Sequence, residues 1–89
     1  MNEIQKARIE SEMEKILAEE AFYRDGRDSA HEQGLKELAR GREQLRFAKR
    51  AEYVGMLKVL NALGYGVDRE TVEGVLRCKV SEKPGTILI

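Results

Sequence analysis

The chain has few side chains that could carry out hydrolysis or group transfer. Its 89 residues include one histidine, His31, one cysteine, Cys78, and three serines, and none forms an evident pair of nucleophile and base. We interpret His31 as a solvent-facing residue in the first turn of a helix, and Cys78 as a small, partly buried apolar side chain. These two residues are also too few for a structural zinc site. We therefore expect no enzyme activity, no metal and no cofactor.

Positive charge is concentrated in the middle of the chain. The whole sequence has sixteen basic and sixteen acidic residues, and this balance does not favour a protein that binds nucleic acid or anionic lipid over its whole surface. Residues 24–50, however, contain eight basic and five acidic residues. On a helix, Arg42, Arg46 and Lys49 lie on or beside an apolar face, where an unpaired buried cation is costly.

Three interpretations of these cations remain open. They can pair with glutamates of the first or second helix, bind a phosphate group or an acidic protein surface, or extend into solvent. The second interpretation defines a predicted partner-binding site. Its residues are Arg42, Arg46, Lys49 and Arg50 for anionic contacts, with Tyr53 as an aromatic anchor.

Two amphipathic helices must position these residues. Asn2 and Gln5 form a capping box, which predicts a helix over about 3–23, and Asp25-Gly26 is typical of the turn that follows. A second capping box begins at Ser29, and no proline interrupts the segment that follows it, so we expect a second helix over about 30–63. Because this helix is longer than the first, its second half needs cover from the C-terminal segment or from another copy of the chain.

Small residues recur every seven positions along the second helix, at Gly34, Gly41, Ala48, Gly55 and Ala62. A glycine inside a helix lowers the stability of the helix by about 1 kcal/mol relative to alanine. The repeat therefore indicates close approach of another backbone, a break in the helix at Gly41, or coincidence. The first interpretation predicts a homo-oligomer, with an interface formed by Gly41, Ala48, Gly55, Met56, Leu60 and Leu63.

The C-terminal third is interpreted as a short helix followed by a tail. Asp68 can cap a helix over about 69–79, and residues 81–89 form an apolar tail. With 36% charged and 42% hydrophobic residues and one proline, the composition is typical of amphipathic helices. We predict a single all-α domain over 1–89: an antiparallel helical hairpin with a long second helix, a short third helix and a tail, assembled as an oligomer.

Residues 62–76 resemble the helix-turn-helix of bacterial repressors, with Gly66-Val67 at the turn and Thr71-Val72 in the second helix. The resemblance implies a DNA-binding regulator that uses Arg69, Thr71 and Arg77. Acidic residues within the same segment reduce the positive charge that phosphate contacts require. A short helix that is capped by Asp68 and packs within the fold would explain the same residues equally well, without DNA binding.

In length, composition and segments such as 51–57 and 63–67, the chain resembles small helical proteins of bacteriophages and prophages, which include anti-CRISPR and other anti-defence inhibitors. The resemblance implies a stoichiometric inhibitor that binds a host protein or a protein–nucleic acid complex. An oligomeric sponge for a phosphate-bearing signalling nucleotide is a further alternative. The longest uncharged run, 59–67, is far shorter than the roughly 20 residues of a membrane span, so we expect a cytoplasmic protein.

Overall fold

Two helices and two strands make up the computed structural model, which describes residues 1–82 of the chain. The element order is α1 (Glu3–Glu32), α2 (Lys36–Ala62), β1 (Gly66–Val72) and β2 (Val75–Ser81). The helices form an antiparallel hairpin, and the strands form an antiparallel β-hairpin that packs at its open end. The prediction of an all-α fold is therefore wrong.

The first helix begins as predicted but ends later. The Asn2 side chain accepts a hydrogen bond from the Gln5 N–H at 2.8 Å, and the Gln5 side chain accepts one from the Asn2 N–H at 3.1 Å, which confirms the capping box. The predicted turn at Asp25-Gly26 is absent, since α1 continues through both residues, and the Arg42 side chain of α2 lies over Gly26. A Cβ at this position would lie 2.5 Å from Arg42 Nη1. The segment thus remains helical because α2 packs against it.

The turn between the helices lies at residues 33–35. Gly34 there has φ +74°, a conformation that glycine adopts readily. Ser29, predicted to cap a second helix that begins at about Ala30, lies inside α1 instead, and α2 runs through Gly41 without a break. The helices are therefore similar in length, 30 and 27 residues, and the predicted overhang of a longer second helix is not present.

Residues 66–81, in which we predicted a third helix, form the β-hairpin. Glu73 and Gly74, with φ 52° and 79°, make the two-residue turn that twisted hairpins prefer. Valines near the start of β1 and the end of β2 pair directly, Val67 opposite Val80, and both are buried. Asp68 lies within β1 and caps no helix. Ser81, the predicted start of the tail, ends β2, and the rest of the predicted tail from residue 83 lies outside the described residues.

The core lies at the open end of the helical hairpin, where each helix and both strands contribute side chains. Its buried members are Met13, Ile16, Leu17, Tyr53, Leu57, Leu60, Val67, Cys78 and Val80. Near the helix turn, Ala30 and Ala39 are buried. Two glutamates of α1 also bind the outer edge of β2: Glu14 Oε2 accepts from the Cys78 N–H at 2.9 Å, and Glu10 Oε2 accepts from the Val80 N–H at 2.7 Å.

Candidate interaction surface

A cluster of charges links the two helices between the core and the turn. Arg46 Nη2 donates to Glu43 Oε1 at 2.6 Å, and Arg27 Nη1 donates to Oε2 of the same carboxylate at 2.6 Å. The hydrogen bond from Arg46, followed by that from Arg27, lowers the pKa of Glu43 from 4.5 to about 2. The carboxylate therefore stays ionised well into the acidic range, and both guanidinium groups are paired.

Lys49 and Arg50 also contact glutamates of α1. Lys49 Nζ lies 2.7 Å from Glu19 Oε2, and this hydrogen bond raises the pKa of Lys49 and lowers that of Glu19. Arg50 Nη1 lies 3.5 Å from Glu20 Oε2. In the free chain these predicted anion-binding residues are thus paired intramolecularly. Their role in binding a partner stays a prediction.

The remaining two predicted partner-binding residues, Arg42 and Tyr53, are held within the fold. Arg42 Nε is buried and has no hydrogen-bond partner among residues 1–82. Tyr53 is fully buried, and its ring lies near the guanidinium groups of Arg50 and Arg69, 5.8 and 5.6 Å from the ring centroid. Its hydroxyl group forms no hydrogen bond within the described part of the chain. Tyr53 therefore acts here as a core residue beneath the β-hairpin.

The residues assigned to DNA binding lie on the β-hairpin. Arg69 faces the Tyr53 ring, Thr71 is exposed on β1, and Arg77 Nη1 lies 3.5 Å from Glu14 Oε1. A helix-turn-helix requires a recognition helix, whereas this segment forms strands. The helix-turn-helix interpretation is therefore wrong at the level of structure.

One face of α2 is exposed along the whole helix. We call it the α2 seam; its eight residues alternate at spacings of three and four, and each is exposed. They are Leu38, Gly41, Leu45, Ala48, Glu52, Gly55, Val59 and Ala62. Three of them are large apolar side chains with high exposure: Leu38 47%, Leu45 48% and Val59 60%. Such a stripe on a globular helix is normally buried against another element.

The glycines of the α2 seam are not required by packing within the chain. A Cβ added at Gly41 or Gly55 would meet no atom within 4 Å in the described structure. The other predicted interface residues differ in position: Met56 is half-buried beside the seam, Leu60 belongs to the core, and Leu63 is exposed just beyond the end of α2. The large seam residues Leu38, Leu45 and Val59 are not among the predicted interface residues, although their spacing in multiples of seven is visible in the sequence.

Beside the α2 seam, an open apolar groove of about 610 Å³ runs between the two helices. Ile9 and Ile16 of α1 line one wall, and Met56 and Val59 of α2 line the other. Glu12 and Glu52 also line it, and its lining includes no residue from either strand. The groove and the seam together thus form an apolar surface on the side of the helical hairpin that the β-hairpin leaves uncovered.

Neither α1 nor α2 has an apolar stretch long enough to cross a lipid bilayer. Comparison of the chain with protein-family models, curated proteins and solved structures gives no match.

Proposed function

We propose that the protein is a non-catalytic interaction protein that works as an assembly of its own copies, joined through the α2 seam. The exposure of all eight seam residues along a 27-residue helix carries the proposal. An exposed helix face that carries large apolar side chains, here Leu38, Leu45 and Val59, is characteristic of sites that bind another protein. Association would bury the large side chains of the seam and supply the cover that α2 lacks on this side.

The positions of the two most reactive side chains support a role without catalysis. His31 is exposed at the end of α1 next to the helix turn. Cys78 is buried in the core, and burial raises the pKa of its thiol, so the reactive thiolate is disfavoured. Cys78 contacts α1 at Glu14, about 25 Å along the helix from His31. The two side chains therefore do not form a nucleophile and base pair.

No contact in the described structure favours the nucleotide sponge over this proposal. An anion at Arg46 or Lys49 would have to displace Glu43 or Glu19, which already bind these cations at 2.6 and 2.7 Å. Inhibition of a host defence component remains an expectation from the resemblance to phage proteins. A self-associated inhibitor would present its β-hairpins and the cluster of Arg27, Glu43 and Arg46 on surfaces outside the seam.

Light scattering coupled to size exclusion, at low and high salt, tests the proposal on the native chain. We expect a mass of at least twice the 10.1 kDa of one chain at both salt concentrations, because apolar contacts are not screened by salt. The ratio of absorbance at 260 and 280 nm should show no bound nucleotide. A monomer at both salt concentrations would contradict the proposal, and a nucleotide in the peak would favour the sponge.

A further inference from the structure

From the pattern of the α2 seam we infer that two copies pair their α2 helices antiparallel, with each large seam residue of one copy opposite a small residue of the other. This inference rests on the proposed self-association and specifies its geometry. In the sequence of the seam, large and small residues alternate without exception. A two-fold axis perpendicular to the helices near residue 50 places the large residues of one copy opposite the small residues of the other.

The register follows from the alternation of large and small residues. The seam has two kinds of position, the large residues at 38, 45, 52 and 59 and the small residues at 41, 48, 55 and 62. Where two such helices pack antiparallel, each layer contains one position of each kind. Only one alignment pairs all eight seam positions within the bounds of α2; the two-fold axis makes four of the eight layers distinct, and glycine or alanine lies opposite a larger residue in each. Leu38 then packs on Ala62, Leu45 on Gly55, Val59 on Gly41 and Glu52 on Ala48 of the second copy.

The parallel alternative packs poorly. In parallel helices each seam position meets its own equivalent, so Leu45 would meet Leu45 and Gly55 would meet Gly55. A helix separation that accommodates the paired leucines would leave voids at the paired glycines, whereas the cores of protein interfaces are packed as densely as protein interiors. In the antiparallel register, by contrast, the open space at Gly55 receives Leu45 of the second copy.

The charges on α2 agree with this register. Glu52 is the one charged residue of the seam, and burial of a carboxylate requires a cationic partner. Within its own chain, Glu52 Oε2 lies 3.5 Å from Lys49 Nζ. The antiparallel register also brings Glu52 beside Lys49 of the second copy. Each carboxylate at the centre of the interface therefore lies beside a lysine of both chains, and each of these lysines is shared with Glu19 of its own chain, 2.7 Å away.

Exchange of the two side chains within one layer tests the register. Gly55→Leu overfills its layer and should weaken self-association about tenfold or more, whereas helix propensity favours leucine over glycine, so the fold is retained. Addition of Leu45→Ala should restore association, because the same layer again contains one large and one small residue. The control Leu38→Ala, which alters a different layer, should not restore it. Equal recovery with either alanine would overturn the register.

Disulfide cross-linking gives a second test under mild oxidation. Leu45→Cys mixed with Gly55→Cys should form a mixed disulfide dimer, whereas each variant alone should not, because identical positions lie about 15 Å apart along the helix axis. The native chain, with Cys78 buried, is the control. Dimers formed by each variant alone would show parallel pairing. A native dimer without the mixed disulfide would overturn the register but not the proposed function, whereas a native monomer would overturn both.

Discussion

Val80 in the last strand donates its backbone N–H to Oε2 of Glu10 in the first helix, at a distance of 2.7 Å. The equivalent bond from Cys78 to Glu14 lies one helical turn further along α1, so two carboxylates bind the outer edge of β2. An exposed strand edge is a site for unwanted pairing with other chains. These glutamates both attach the β-hairpin to α1 and close that edge.

Replacement of Glu10 should therefore weaken attachment of the sheet. Glu10→Ala leaves the Val80 N–H without its acceptor, and we expect the free energy of unfolding to fall by about 1–3 kcal/mol. Glu10→Gln retains an acceptor oxygen and should lose less. Urea unfolding followed by circular dichroism measures both, with Glu12→Ala on the exposed face of α1 as the control. Equal stability of Glu10→Ala and Glu12→Ala would show that the bond contributes nothing.

Tyr53 should tolerate loss of its hydroxyl group but not of its ring. The hydroxyl is buried without a hydrogen-bond partner in the described structure, so Tyr53→Phe should leave the free energy of unfolding unchanged or raise it. Tyr53→Ala opens a cavity beneath the β-hairpin and should cost about 3–5 kcal/mol. Chemical denaturation distinguishes the two variants. A marked loss of stability in Tyr53→Phe would indicate a partner for the hydroxyl group.

Acid should remove the contribution of Glu43 to stability. Its pKa is lowered from 4.5 to about 2 in the folded chain, so its ionised form stabilises the fold above pH 4.5. This contribution is lost as the pH falls from 4.5 towards 2. The difference in unfolding free energy between the native chain and Glu43→Gln should shrink across that range, and Glu37→Gln controls for loss of an exposed carboxylate. A difference that stays constant from pH 7 to pH 2.5 would contradict the assignment.

Two substitutions in the turn of the β-hairpin should change stability in opposite directions, because one favours positive φ and the other disfavours it. Glu73 has φ 52°, a conformation that asparagine adopts more readily than glutamate. Glu73→Asn should therefore stabilise the protein by a few tenths to about 1 kcal/mol. Gly74→Ala, at φ 79°, should destabilise it by about 1–2 kcal/mol. Thermal unfolding measures both. The same sign for the two substitutions would show that another turn is present in solution.

Local signals predicted the start of the fold well. The Asn2–Gln5 capping box places the first residue of α1, and the helical hairpin follows from amphipathic periodicity. The end of α1 was not predictable in this way, since Gly26 and its neighbours are typical of a turn. They remain helical because Arg42 packs over Gly26 and Arg27 binds Glu43, and both contacts come from α2.

The β-hairpin was missed because its turn is formed by Glu73-Gly74 rather than by Asn-Gly or Asp-Gly. The alternation of apolar and charged residues over 76–80, Leu-Arg-Cys-Lys-Val, was the available signal. The candidate site was predicted in part: the repeat of small residues marks one half of the α2 seam. Its other half includes Leu38 and Leu45, whose exposure depends on which faces of α2 are covered by α1 and the sheet.

Sedimentation equilibrium of two matched variants tests the central claim most directly. Leu45→Glu places a charge in the α2 seam, and Phe47→Glu places one at an exposed position outside it on the same helix. We predict that Leu45→Glu is a monomer with unchanged helicity, because burial of a carboxylate opposite Gly55 is costly and the nearest lysine, Lys49, already contacts Glu19 and Glu52. Phe47→Glu should keep the mass of the native assembly. A Leu45→Glu variant with the native mass would contradict self-association through the seam.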